Sequence, residues 1–186
     1  MERWAIPLAW LVWAAVWTVL AGRVKPVAER IDRNAERAHY APLMLAALLD
    51  ILPLSIFRLN ARFVAFHPWL PHLGLLLVVA GLAYAIWARL TIAGNWSSDV
   101  TLKQGHELVV AGPYAWTRHP IYTGLLAAFA GVALAMGEWR GLIALGLAFV
   151  AFRRKIALEE ALMRREFGDT YAAYALRVRA LIPWVY

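Results

Sequence analysis

Residues 73–90 read LGLLLVVAGLAYAIWARL, and the first charge in the run is Arg89. A helix rises about 1.5 Å per residue, so roughly 20 apolar residues cross the hydrocarbon core of a bilayer. The run predicts a membrane-spanning helix, and the rest of the chain repeats its pattern. Apolar segments also occupy residues 4–20, 40–59, 121–136 and 139–152. The last two are short for a span and closely joined, which predicts a helical hairpin partly shielded by protein. Gly124 and Gly131 are seven apart, on one face where another helix can approach closely.

Composition agrees with this reading. Hydrophobic residues make up 62% of the 186 and charged residues 17%, with a mean hydropathy of +0.58. Soluble domains hold roughly 45–50% apolar residues. Length and the absence of repeats predict one domain over residues 1–186. The expected fold is an all-α, integral membrane helical bundle of about five transmembrane helices plus cytoplasmic C-terminal helices. Segment 4–20 has the apolarity of a secretory leader, but Trp10, Trp13 and Trp17 share one face and no small-x-small cleavage site follows. That stripe is expected to pack against a helix or to anchor at the interface.

Charge sets the orientation. With the N-terminus outside and five spans, all nineteen Lys and Arg residues except Arg3, Arg58, Arg62 and Arg140 fall on the cytoplasmic side. The net charge of +7 then reflects basic loops facing anionic lipid, and nucleic acid is not an expected partner. Cysteine is absent, which excludes a disulfide framework, a thiolate metal site and a cysteine nucleophile. Residues 22–39 mix both signs of charge and read as an exposed helix or loop. Near the C-terminus, Phe167-Gly168 reads as a helix stop and Asp169 as the cap of a last helix. Tyr171, Tyr174, Ala175 and Val178 form one apolar face on it, Pro183 ends it, and Trp184 and Tyr186 suit a membrane interface.

Polar chemistry concentrates in residues 91–120 and 153–179, both on the cytoplasmic side. The first is a long loop rich in glycine, aromatics and histidine, and loops of this length are commonly functional. Its aromatic faces and glycines suit the enclosure of a flat heterocycle such as adenine, or the capping of the bundle by a re-entrant loop. His106 and His119 have only Asp99 and Glu107 near them in sequence, without the spacing of a metal site. Glu159 and Glu160 read either as ligands or as a solvated face, with Lys155–Glu159 and Glu160–Arg164 pairs one turn apart. Asp50 lies inside a span, where an acid is costly. It is either functional or a buried acid paired with Arg58 or a hydroxyl beside a Pro53 kink.

The run GPYAWTRHPIYTG (112–124), the glutamate pair and FGDTYAAYALRVRALIP (167–183) together resemble the isoprenylcysteine carboxyl methyltransferase family. The resemblance covers residues 95–186, and the first two spans carry no comparable signature. It implies a membrane enzyme that uses S-adenosylmethionine from the cytosol and takes a lipid-like substrate from the bilayer. Residues 1–90 then supply three spans, and 91–186 the catalytic, cofactor-binding part. By the resemblance, His106, Leu108, Val109, Tyr114, His119, Pro120, Ile121, Tyr122 and Glu159 line the cofactor site. Lys155 stands where the family has an arginine assigned to the substrate. Arginine grips a carboxylate as a planar fork and lysine as a point charge.

A carboxylate acceptor, such as an isoprenylcysteine-like group, needs no base. Small members of the superfamily act on phospholipid amines, thiols or other molecules, and an amine or thiol must lose a proton to Glu160, His119 or Asp50. Two other readings stand beside this one: an NADPH-dependent sterol-type reductase and a non-catalytic membrane scaffold. The compact chain suggests the cytoplasmic membrane of a prokaryote, with the active site facing the cytoplasm.

Overall fold

The computed structural model describes residues 4–30, 39–52 and 58–183. Arg3, Arg33, Arg37, Pro53, Trp184 and Tyr186, which entered the sequence reading, lie outside them. Among the described residues the α-helices follow in the order α1 (Ala5–Ala21), α2 (Tyr40–Ile51), α3 (Leu70–Ile92), α4 (Pro120–Met136) and α5 (Trp139–Arg177). Of these, α3, extended by one further turn to Asn95, is long and apolar enough to cross a membrane. The helices α1, α2 and α4 are apolar but shorter, so five full spans are not established by length.

The second apolar segment, interrupted in sequence by Asp50 and Pro53, is helical over Tyr40–Ile51. Leu52 is extended (φ −94°, ψ 126°) after α2, because the residue before a proline is driven out of the helical region. The all-α expectation also needs correction. Strand β1 (Val27–Arg30) pairs antiparallel with β2 (Thr101–Lys103), Val27 opposite Lys103 and Arg30 opposite Thr101. Within the stretch read as a helix or loop, Val27–Arg30 is therefore a strand. Backbone polar groups must find partners, and this ribbon supplies them, continued by Lys25 N–H to Gly94 O and Gln104 N–H to Pro26 O, both 2.9 Å.

Helices α3 and α4 form the tightest contact, and glycine is the reason. Gly74 faces Gly131, and Gly81 faces Gly124, so the two helices run antiparallel. A Cβ on Gly74 would lie 2.5 Å from Gly131 O, and one on Gly131 would lie 2.6 Å from Gly74 O. Real Cβ atoms do not come so close, so only glycine allows this approach. Pro120 opens α4, where its fixed φ suits the first turn. Gly137 closes the helix in the left-handed region (φ 64°).

The α5 stretch runs from apolar into polar sequence with no Gly or Pro between Gly146 and Gly168, where a kink divides it before a last helical segment to Arg177. Its non-helical residue is Gly168 (φ 48°, ψ −124°), the stop read from sequence.

Outward faces are apolar rather than polar. Leu11 is 66% exposed on α1, Ile51 73% on α2 and Leu76 64% on α3. Apolar surface on this scale marks contact with lipid or protein, and the chain is a membrane protein. Arg89, counted above on the cytoplasmic side, is buried. It donates to Leu20 O (2.6 Å) and Ala93 O (2.8 Å), and its guanidinium lies 4.5 Å over Trp96. It adds a second donor to carbonyls at the C-terminal ends of both α1 and α3, which already accept the Arg23 and Trp96 N–H groups, and this puts those ends at one level beside the 91–119 loop.

Candidate active site

His119 occupies the N-cap position of α4, and Pro120 locks the turn that presents it. Glu159 and Glu160, adjacent on α5, point about 100° apart around the helix axis, and His119 sits between them. Its Nδ1 lies 3.4 Å from Glu159 Oε2 and its Nε2 lies 3.3 Å from Glu160 Oε1. Tyr122, in the first turn of α4, donates its hydroxyl to Glu159 at 2.6 Å. Arg118 donates to Glu160 Oε1 through Nε (2.9 Å) and Nη2 (2.5 Å), and Arg164 Nη2 reaches Oε2 at 2.8 Å. The second amino group of Arg118 donates to Val178 O at 2.5 Å and Ala175 O at 3.2 Å, closing the end of α5.

This network sets the charges. Burial works to raise the Glu160 pKa, but bonds from His119 and then Arg118 bring it down to about 2. Burial also opposes ionisation of Glu159, and His119 and the nearby Lys155 charge more than offset it, leaving the value lowered. For His119, burial favours the neutral ring, but hydrogen bonds to Glu159 and then Glu160 win and raise the pKa. His106 shifts the other way, lowered by burial and then by Lys25. The solvated-face reading of the glutamate pair fails at Glu160, whose side chain is 9% exposed. The Glu160–Arg164 pair holds, whereas the amino group of Lys155 donates to the Ser98 carbonyl.

A cavity of about 400 Å³ opens beside this cluster. His106, Leu108, Val109, Tyr114, His119, Ile121, Tyr122 and Glu159 all line it, as does Lys155. Pro120 is fully buried beneath the wall and does not line it. Glu160 stands behind the wall, holding His119 and Arg118.

Asp50 is not brought to the cavity. It ends α2 beside Arg140, whose Nη1 donates to the carbonyls of Leu49 (2.9 Å) and Asp50 (3.3 Å). Arg140 begins α5 and Glu159 lies nineteen residues on, roughly 28 Å along the helix. The reading of Asp50 as a catalytic base is therefore corrected, and Arg140, not Arg58, provides the neighbouring charge.

Several lining residues escaped the sequence reading. Trp13 and Trp17 stack at 4.7 Å and face the cavity, whereas Trp10 packs on Phe129 at 5.6 Å. The stripe was visible in sequence, but which part faced a cavity was not. Arg118 lines the cavity from within the RHPIY block, and Tyr171 and Tyr174 do so from the end of α5. Tyr174 is aimed by its hydroxyl bond to Tyr114 O at 2.6 Å.

Comparison with known proteins converges on this region. The family model described as phospholipid methyltransferase matches residues 69–170. The chain is 28% identical over 152 residues to protein-S-isoprenylcysteine O-methyltransferase B of Arabidopsis thaliana, covering 79% of this chain and 75% of that one. It is 32% identical over 159 residues to the human protein-S-isoprenylcysteine O-methyltransferase, covering 78% of this chain and 51% of that one. Its fold resembles that of a eukaryotic intramembrane Ras methyltransferase, isoprenylcysteine carboxyl methyltransferase. The TM-score is 0.63 at 24% identity, over 83% of this chain and 55% of that one.

The fold resembles that of a membrane methyltransferase. The chain belongs to the phospholipid methyltransferase family, and the named relatives are isoprenylcysteine methyltransferases, in keeping with the motifs in residues 112–183. It spans about half the length of the human relative.

Proposed function

We propose that the protein transfers the methyl group of S-adenosylmethionine to a lipophilic acceptor, with a carboxylate such as that of an isoprenylcysteine-like group as the favoured nucleophile. The observation that carries this reading is His119, on the wall of an aromatic-lined cavity, held between the half-buried carboxylate of Glu159 and the buried carboxylate of Glu160. The cavity lies within the roughly 300–1,000 Å³ common for small-molecule sites. Its aromatic faces suit an adenine ring, and the acceptor-only carboxylate of Glu159 suits ribose hydroxyls or an amino group.

When bound, the cofactor supplies an electrophilic methyl on a sulfonium. The protein's part is alignment and exclusion of water, which can supply much of the barrier reduction. Lys155 offers a point charge to an acceptor carboxylate, in place of its bond to Ser98 O. The titratable groups favour an acceptor that needs no deprotonation. Glu160 is too acidic to serve as a base, and the raised pKa of His119 favours the imidazolium, which has no free lone pair. His106 Nδ1 accepts the Lys103 N–H at 3.3 Å, which assigns the ring proton to Nε2. Most loop cations lie at the cavity end of the bundle, which supports a cytoplasmic site with cofactor entering from the cytosol and acceptor from the bilayer.

The test begins with calorimetric titration of detergent-purified protein with S-adenosylhomocysteine, with NADPH in parallel. Saturable binding of the first alone supports the reading, and binding of NADPH alone turns it toward a reductase. Methylation of N-acetyl-S-farnesylcysteine, compared with a long-chain amine, then decides the acceptor. Turnover of the amine alone would overturn the carboxylate assignment.

A further inference from the structure

Outside the cavity, the C-terminal strap carries an apolar and basic surface. Leu176, on the last turn of α5, is 82% exposed, and Ile182 is 53% exposed. Exposed Arg177 and Arg179 lie between them, and neither forms an ion pair among the described residues.

Hydrogen bonds fix the height of this strap. Arg118 N–H donates to Arg179 O at 2.8 Å and His119 N–H to Ala180 O at 3.0 Å. The Thr123 hydroxyl donates to Leu181 O at 2.7 Å. Leu181 packs with Ile156 of α5, beside Tyr122 and Leu126 of α4. The strap therefore runs level with the first turn of α4. The adjoining loop is pinned at the same height, because Trp116 stacks on Tyr84 at 6.4 Å and meets Trp87 edge-on at 5.5 Å. Trp116, Trp87 and Leu90 all face outward there. This is the end of the span α3, where hydrocarbon gives way to headgroups. A mixture of exposed tryptophan, aliphatic and arginine side chains suits that layer.

We propose that residues 176–182 form a seat for the anionic headgroups of the surrounding leaflet. Leu176 and Ile182 enter the acyl boundary, and Arg177 and Arg179 bind lipid phosphates. Each cation near an anionic surface shifts such an equilibrium roughly fivefold. The backbone of the same strap bonds Arg118 and His119, so lipid seating steadies the wall of the cavity. The proposal does not depend on the reaction catalysed.

The chain contains no cysteine, so Ala172→Cys, exposed and one turn before Leu176, gives a single labelling position. The full-length protein, carrying an environment-sensitive fluorophore there, is placed in nanodiscs of phosphatidylcholine alone or mixed with phosphatidylglycerol. The expected result is blue-shifted emission, more strongly quenched by brominated acyl chains, in the anionic discs. Arg177→Gln with Arg179→Gln removes that difference, and the corresponding lysine pair keeps it. Equal emission in both lipids, or a response that survives the glutamine pair, overturns the proposal. A shift produced by inorganic phosphate in neutral discs also overturns it, because the site would then bind free anions instead of a lipid surface.

Discussion

The guanidinium of Arg118 donates twice to one oxygen of Glu160, at 2.9 and 2.5 Å, while its other amino group closes the end of α5 on the carbonyls of Ala175 and Val178. One side chain thus joins the start of α4, the glutamate pair and the C-terminal strap. Arg118 and Glu160 are 12% and 9% exposed, and removing one member of a buried pair costs about 3–5 kcal/mol. Arg118→Ala is expected to lower the melting temperature of the purified protein strongly. Loss of less than about 1 kcal/mol would mean that water replaces the guanidinium.

His119→Ala and Glu159→Ala are each expected to abolish S-adenosylhomocysteine binding while the protein still inserts and purifies. Calorimetry checks the binding and size-exclusion chromatography the folding. Affinity equal to the native protein in both variants would remove these residues from the cofactor site.

Lys155→Ala is expected to spare cofactor affinity and to lower turnover at least tenfold, about 1.4 kcal/mol of transition-state binding. Lys155→Arg should retain much of the activity, because arginine also binds a carboxylate. Loss of cofactor binding in the alanine variant would assign Lys155 to the cofactor instead.

Stability should depend on pH from both sides. Glu160 is lowered from 4.5 to about 2 in the fold, so its contribution is present above pH 4.5 and is lost as pH falls toward 2. His119 is raised from 6.5, so its contribution is complete below pH 6.5 and is lost as pH rises through the folded value. A melting-temperature profile should therefore decline on the alkaline side, and His119→Gln should flatten that limb. An unchanged alkaline limb in the variant would assign the decline to another group.

Gly81→Ala is expected to push α3 and α4 apart at Gly124 and to cost about 1–3 kcal/mol, as overpacking does. Gly146→Ala on α5 has nothing within 4 Å of the added carbon and should be neutral or stabilising by up to about 1 kcal/mol. Thermal unfolding of the two variants side by side checks the contrast.

Local order made much of this chain legible in its sequence. The apolar run in residues 73–90 determined α3, because backbone groups in lipid must bond within their own segment. Gly168 marked a helix break, because glycine leaves its own φ free. Of the residues named from the motifs, His106, Leu108, Val109, Tyr114, His119, Ile121, Tyr122 and Glu159 line one cavity and Pro120 does not. What only the tertiary structure decided are the long-range partners. The pairing of β1 with β2 joins segments about seventy residues apart, and no periodicity signals it. Arg89 was counted only as a cytoplasmic-side cation and is buried between the ends of two helices, because only folding brings the end of α1 to it. Asp50 and Glu160 looked equally available as bases. The fold puts the first at the far end of α5 and surrounds the second with Arg118, His119 and Arg164, so its charge holds the site together.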